Sequence, residues 1–367
     1  MPNPSTWREA FKFSLGTWRI SILALVPVTI LLEALHASPI LTFAVSAVAI
    51  IPLASLLGDA TEELAAHTGP ALGGFLNSTL GNLTELIIGI LALWSGHVEV
   101  VKASLTGSII GNLLLVFGLS ALIGGMGRDK LSFNRVAVGA NTSMLFLAVV
   151  ALVMPALYDL TVFGTLRASG PALERLSFWT ALVLLACYAA SLIFTFRTHR
   201  NLYRGESETP TIGRTMAIVI LVATAALIGV VSEILVGQIE AVTRQLGWTE
   251  LFVGLIVLAT VGNAAEHSTA VLMARRDKMD LALSITIGSS TQIALFVAPA
   301  LVLLSQVRPQ PMSLVFHPLE IAAVILSAGI ATLVSLDGET NWLEGVQLLG
   351  VYAILAVFFY FLPNAAS

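Results

Sequence analysis

Two copies of one polar motif sit inside apolar segments: Gly81-Asn82-Leu83-Thr84-Glu85 and Gly262-Asn263-Ala264-Ala265-Glu266. Each is followed, 26 residues after its first glycine, by a second polar pair, Gly107-Ser108 and Gly288-Ser289. The offset between copies is 181 residues without a gap. Glycine lets a helix break and lets another backbone come close. A broken helix frees carbonyl oxygens. With the amide oxygens of Asn82 and Asn263 and the carboxylates of Glu85 and Glu266, these are hard ligands. Calcium takes about six to eight such oxygens at roughly 2.3–2.6 Å. The chain has no Cys/His cluster of the kind zinc or copper favours. Two inverted copies would give one divalent ion two carboxylates, Glu85 and Glu266, which makes a neutral site in a low-dielectric interior.

Once the ion leaves, two carboxylates remain in a poorly solvated place. Desolvation and mutual repulsion then favour protonation of at least one. The same oxygens cannot both bind calcium well and carry protons, and that exclusion is the physical basis of exchange. Ser108, Asn112, Ser289, Ser290, Thr291 and Gln292 follow in the next apolar segments, where they line a pathway and support the glutamates, or hydrogen-bond helix to helix. Glu62 and Glu233 occupy matching places in two other segments. They read as gate or vestibule carboxylates, or as interfacial acids. Glu63 and His67 fall at i and i+4 on one helical face, suited to a metal or to a helix end. His267 adjoins Glu266, but Leu86 stands at the matching place in the first copy, so the core chemistry does not need it twice. The Asn77, Asn82 and Asn141 glycosylation triplets lie in or at the edge of apolar helices, where that modification is not expected.

The chain has 367 residues, 57% hydrophobic and 11% charged, with mean hydropathy +0.91. A soluble domain carries about twice that charged fraction. About eleven apolar stretches run at 18–37, 41–66, 72–95, 100–125, 136–157, 176–198, 214–238, 249–274, 280–304, 315–336 and 342–362. Each is long enough to cross a hydrocarbon core of about 30 Å. An all-α polytopic membrane protein follows, since helices satisfy their own backbone in lipid. No basic face suits nucleic acid, and the single cysteine, Cys187, excludes a disulfide framework. The N-terminal stretch lacks the pattern of a cleaved signal. With the N-terminus in the cytoplasm, thirteen of the 18 Lys and Arg fall on the cytoplasmic side and five outside, Lys102 among them. That bias predicts N-terminus in and C-terminus out.

The polar segment between Arg197 and Arg214 divides the chain. The sequence predicts residues 1–38 as an N-terminal segment with a peripheral first helix. A first five-helix repeat covers 39–198, a cytoplasmic linker 199–213, and a second repeat 214–367. The motif of the third span recurs in the eighth, five helices later, so the copies enter the membrane from opposite sides. Such inverted repeats are common in secondary transporters. Thr61-Glu62 matches Ser232-Glu233 at an offset ten residues shorter, which predicts a longer loop from Gln238 to Thr249. Leu131-Ser132-Phe133 resembles Leu314-Val315-Phe316.

These stretches, with Ala60-Thr61-Glu62, Gly107 to Val116, Gly262 to His267, Gly288 to Ile293 and the loop Asp337 to Gly345, resemble the CAX-type calcium/cation–proton antiporters of the calcium/cation antiporter superfamily. The resemblance covers nearly the whole chain from about residue 40. It implies eleven transmembrane helices, one peripheral and ten in two inverted five-helix repeats. It implies that Glu85 and Glu266 bind cation and proton in turn, that the second and seventh spans gate, and that identical subunits often assemble. Leu83 and Gly111 depart from the family's usual alanine and serine, and Gly111 is expected to alter packing beside Asn112. The linker lacks the strongly acidic helix of many relatives, so calcium regulation there is not expected. The absence of a long N-terminal extension points to a prokaryotic plasma membrane.

The leading expectation is a secondary transporter that exchanges cytoplasmic Ca²⁺ for external H⁺ by alternating access, with the lipid bilayer, divalent cations, protons and further copies of itself as expected partners and no cofactor. Exchange of Na⁺ for Ca²⁺, or of K⁺ or Na⁺ for H⁺, is the nearest alternative. A passive cation channel is a further one. No catalytic constellation is present, so an enzyme is not expected.

Overall fold

The structure is a computed structural model that describes residues 23–68, 70–164, 170–198 and 210–363. The expected N-terminal basic residues Arg8, Lys12 and Arg19, and most of the linker with Glu206 and Glu208, lie outside the described residues. In chain order the helices are α1 (Leu25–Ala34), α2 (Pro39–Ala66), α3 (Pro70–Leu80), α4 (Leu83–Trp94), α5 (Val98–Gly125), α6 (Arg135–Phe163) and α7 (Pro171–Thr198). The second half holds α8 (Arg214–Gly237), α9 (Ile239–Leu246), α10 (Glu250–Gly262), α11 (Ala264–Arg275), α12 (Met279–Val307), α13 (Pro318–Ser335) and α14 (Trp342–Tyr360). Among the described residues, eight helices are long and apolar enough to cross a membrane, or up to ten if each sharply bent pair is one span. The chain is an integral membrane protein.

The helices begin where local chemistry lets them. Pro39 and Pro318 open α2 and α13 at a position with no backbone donor to lose. Asn134 accepts from Val136 N and Ala137 N to cap α6, and Thr249 accepts from Phe252 N to cap α10. Capping boxes start α13 with His317 and Glu320, and α14 with Asn341 and Glu344.

Three features depart from the sequence expectation. The stretch from Gln238 to Thr249 is a short amphipathic helix rather than a loop. Ile239 and Val242 are buried while Glu240 and Arg244 pair on the outer face. Gly247, at φ 70°, ends it, and α9 meets α10 at 116°. Second, Leu131-Ser132 and Glu339-Thr340 form a two-stranded antiparallel ladder, β1 and β2, so among the described residues the fold is helical with one small ribbon. Third, Lys102, expected in an outer loop, is completely buried in α5.

By contacts the described chain divides into two compact units. One takes the chain up to His97, Ser191–Trp248 and Val261–Ala265; the other takes Val98–Ala190, Thr249–Thr260 and the chain from Glu266. Each draws on both halves of the sequence.

In the first unit α2 and α8 pack antiparallel, pinned at both ends. Near the end of α2, the Glu63 carboxylate accepts from Thr211 N, Thr211 Oγ1 and Ile212 N, and His67 Nε2 lies 2.6 Å from Ile212 O. At the far end Gln238 Nε2 donates to Glu33 at 2.9 Å. Leu64, Ile212 and Ala217 bury together against Leu76 and Leu80 of α3.

In the second unit α5 and α10 meet backbone to backbone. A methyl group on Gly107 would overlap the Leu255 carbonyl, and one on Gly254 would overlap Val100 and Ala103. α5 and α12 also carry π-helical turns at matching places, Gly111–Val116 and Ile293–Val297, just after the two Gly-Ser pairs. Such turns leave carbonyls out of the regular helical ladder and often mark functional sites.

Gly107 therefore has a packing duty that its sequence partner lacks, since a methyl on Gly288 would meet nothing within 4 Å. Gly107→Ala is expected to destabilise the fold by about 1–3 kcal/mol. Gly288→Ala should be neutral or slightly stabilising. Thermal unfolding of the two variants in detergent checks this: equal midpoints would remove the backbone contact from the account.

Candidate functional site

The first motif copy breaks a helix as its glycine and amide suggest. α3 ends at Leu80, Gly81 and Asn82 form a turn, and α4 begins at Leu83 with a bend of 41°. The second copy breaks at Asn263, between α10 and α11. In both copies the asparagine is completely buried and the glutamate lies in the first turn of the next helix. A helix N-terminus favours negative charge, so each carboxylate sits where the backbone helps it. Asn82 Nδ2 donates to Ser78 O at 3.4 Å.

Within the first unit the two copies meet. A methyl group built on Gly262 would lie 3.6 Å from Glu85 Cγ and 3.7 Å from Glu85 Oε1. The carboxylate arm of the first motif therefore rests against the glycine of the second, and any larger side chain at Gly262 would contest its place. No spacing rule in the sequence forces that meeting.

Within the second unit Glu266 accepts a hydrogen bond from the Ser289 side chain, and its Oε2 is buried with no hydrogen-bond partner among the described residues. A buried, open carboxylate oxygen calls for a proton or a cation. Ser289 thus supports a glutamate, one of the two roles the sequence left open for it. Ser108, Asn112, Ser290 and Thr291 are buried, and Gln292 is half-buried. Ser290 Oγ lies 2.8 Å from Thr286 O and 3.5 Å from Ile109 O, so α12 crosses α5 at residues separated by the repeat offset of 181. Thr291 Oγ1 bonds Ile287 O, which is ordinary back-bonding within its helix. A methyl on Gly111 would meet nothing within 4 Å, so that departure from the family pattern removes no packing contact.

Glu62 and Glu233 are exposed, each beside a completely buried hydroxyl residue, Thr61 or Ser232. They stand toward opposite ends of the antiparallel α2–α8 pair. The acid next to Glu62 has the larger structural role: Glu63 is buried and, with His67, fastens the chain just before α8 rather than holding a metal. Among the described residues, no cluster of three or more His, Cys, Asp or Glu side chains forms a metal site. Each motif offers a carboxylate and an amide oxygen beside a helix break, and oxygen donors of this kind suit calcium.

The residues least visible from sequence are Lys102, Thr106 and Glu320. Glu320 is completely buried at the start of α13, and its carboxylate lies 2.5 Å from Thr106 Oγ1 on α5. The only sequence signal was the capping pattern of His317 and Glu320 before an apolar run.

A family model described as sodium/calcium exchanger protein matches residues 38–197 and 216–361. A Ca²⁺/H⁺ antiporter of Synechocystis is 44% identical over 343 residues, covering 88% of this chain and 91% of the relative. The Ca²⁺/H⁺ antiporter ChaA of Bacillus subtilis is 40% identical over 351 residues, 94% of this chain and 98% of that one. Among solved structures, native YfkE superposes with a TM-score of 0.82 at 38% identity, over 94% of this chain and 99% of that one. An H⁺/Ca²⁺ exchanger CAX shares the fold at a TM-score of 0.71 and 17% identity. The resemblance read from the two motifs is borne out, and the chain belongs to the sodium/calcium exchanger protein family.

Proposed function

We propose that this protein is a secondary transporter that exchanges cytoplasmic Ca²⁺ for external H⁺ by alternating access. The observation that supports the reading is the seat of Glu85 against Gly262, which brings the carboxylate arm of the first motif to the glycine of the second. Its relatives at 40–44% identity bear the name Ca²⁺/H⁺ antiporter. In this reading Glu85 and Glu266, with Asn82 and Asn263, bind the cation, and the same carboxylates take protons when it leaves. Ser289 steadies Glu266. Ser108, Asn112 and Gln292, beside the π turns, line or support the pathway. Glu62 and Glu233 collect cations or relay protons at opposite mouths, as α2 and α8 shift to gate.

The architecture proposed with it has eleven transmembrane helices. Residues 1–38 carry the peripheral helix, 39–198 and 214–367 form inverted repeats, and 199–213 link them in the cytoplasm. The antiparallel α2–α8 pair and the contact of Ser290 with Ile109 support that relation. The N-terminus lies inside and the C-terminus outside, in a prokaryotic plasma membrane, and identical subunits assemble.

Mutual exclusion sets the coupling. A divalent ion neutralises two carboxylates, and protons do the same, whereas the bare doubly charged site is costly to move through a low-dielectric interior. Only loaded sites then change access, and one gradient drives the other.

In proteoliposomes, a pH jump without sodium should drive calcium uptake; uptake that requires a sodium gradient would replace the proton with sodium as the counter-ion. Glu85→Gln and Glu266→Gln should each abolish proton-driven calcium transport while the protein stays folded, because an amide neither loses a proton nor binds calcium strongly. Retained coupled transport in either variant would sink the two-carboxylate mechanism. Gly262→Val should slow transport by about 10- to 100-fold by displacing the Glu85 arm. Gly262→Ala, whose methyl meets only ordinary van der Waals contact, should keep most of the rate. Equal rates in these two variants would disconnect Glu85 from Gly262.

A further inference from the structure

A second polar network lies in the second unit, and nothing in the exchange chemistry above uses it. Glu320 opens α13 with no exposed surface. One carboxylate oxygen caps the helix, accepting from His317 N at 3.0 Å. A cap needs one oxygen and normally stands in water. Here the other oxygen reaches across to α5 and lies 2.5 Å from Thr106 Oγ1.

That contact is short for two neutral groups and ordinary for one that shares charge. Thr106 Oγ1 also lies 3.1 Å from Ala103 O and 3.2 Å from Lys102 O. A hydroxyl has one proton and cannot serve all three acceptors. If Thr106 bonds its own helix, the proton between it and Glu320 must come from a neutral Glu320. If Glu320 is ionised, Thr106 must turn its proton to the carboxylate and release its helix carbonyls. The contact therefore allows two forms that differ by one proton and by the local bonding of α5.

The charged surroundings come from α5. Glu99, Lys102 and Thr106 follow at i, i+3 and i+7, along one helical face. Lys102 is completely buried and pairs with Glu99 at 3.3 Å, and Glu99 is half in solvent. The ammonium is thus engaged with the outer acid, although it still acts on Glu320. His317, on the same turn as Glu320, accepts from Leu319 N through Nδ1 at 3.3 Å; burial holds its pKa below the ordinary value against the pull of Glu99. Of the other helices packed on α13, α6 carries one buried acid, Asp159, and the Glu344 carboxylate of α14 caps its own helix start.

The network adjoins a segment with no slack. Thr106 directly precedes Gly107-Ser108, and Gly107 sits against the Leu255 carbonyl with no room for a methyl group. α5 therefore packs on α10 just after Thr106 with no side chain between the two backbones.

We propose that Glu320 is a positioning residue of the exchanger: it gains and loses a proton at Thr106, and through Thr106 sets the place of the Gly107-Ser108 segment and of α10. It has no counterpart in the first half, where Ala137 stands 183 residues earlier at the offset of the Leu131 and Leu314 triplets. The inference deepens the exchange reading and rests on it for its transport readout.

The test uses the full-length protein in proteoliposomes, with calcium uptake rate measured across a range of external pH. Glu320→Gln holds the group in a neutral form. Thr106→Val removes the hydroxyl that an ionised Glu320 needs, so it favours the neutral form as well. Both should move the midpoint of the pH–rate curve in the same direction by about one unit or more, with the calcium concentration at half-maximal rate within about twofold of wild type. Unchanged midpoints in the variants that fold, or midpoints that move in opposite directions, would overturn the proposal. A second readout needs no transport: the infrared band of a neutral carboxyl group that titrates with pH should be present in wild type and in Glu85→Gln, and absent in Glu320→Gln. If wild-type protein fails to couple calcium to protons but that band is lost only in Glu320→Gln, the exchange reading falls and the proton site stands. A band unaffected by Glu320→Gln removes the proton site whatever is transported.

Discussion

A carboxylate inside an apolar helix bundle must find polar company, a cation or a proton, and this fold is arranged around meeting that demand twice. The answer at each copy is to break a helix at glycine and asparagine, so that the glutamate falls in the first turn of a new helix. The new N-terminus offers unpaired backbone donors and a favourable dipole. The buried asparagine and, for Glu266, the Ser289 hydroxyl add side-chain partners. These groups soften the burial of charge without removing the need for a cation or a proton. Glu85 rests on Gly262, where a methyl group would still fit but a larger side chain would contest its place.

Close backbone approach is the second constraint. Where lipid surrounds a bundle, helices associate by packing and hydrogen bonding rather than by hydrophobic drive. Gly107 and Gly254 bring α5 and α10 together with no side chain between them, and Gly118 and Gly345 do the same for α5 and α14. Long, mostly buried helices such as α5 then act as stiff rods, in which a change at one turn is felt at the next contact. π turns interrupt this regularity at Gly111–Val116 and Ile293–Val297, one turn beyond the Gly-Ser pairs, and also at Val253–Leu258, where α10 meets Gly107. The pairs therefore join rigid packing on one side to loosened backbone on the other.

Hydropathy placed the helices well because membrane crossing imposes one length and one backbone solution on each. Arg135–Phe163 and Pro171–Thr198 run longer than their apolar cores, because caps and polar ends extend a helix past its greasy stretch. The short α9 was taken for a loop because eight residues with Glu240 and Arg244 outside carry too little apolar signal for a span. At the site, Glu85, Glu266 and their asparagines were legible since charge in an apolar run is rare and theirs is duplicated. Glu63 was overshadowed by Glu62, because neighbouring residues of like type differ only in the face they present. Lys102 was counted as a loop charge for the same reason: hydropathy averages over a helix and ignores which side is buried.

By itself, the sequence determined the class of the molecule, the two helix breaks and the pair of acids on which the proposed exchange rests, because each leaves a local mark in residue type and spacing. Only the tertiary structure decided which partners those acids meet. That Glu85 rests on Gly262, that Ser289 holds Glu266, that Glu63 fastens the chain before α8, and that Glu320 reaches Thr106 are all contacts between residues more than 20 positions apart. Such contacts depend on how helices rotate and cross, and composition leaves those angles open. Packing of small residues selects them, and with them the neighbours of every buried charge.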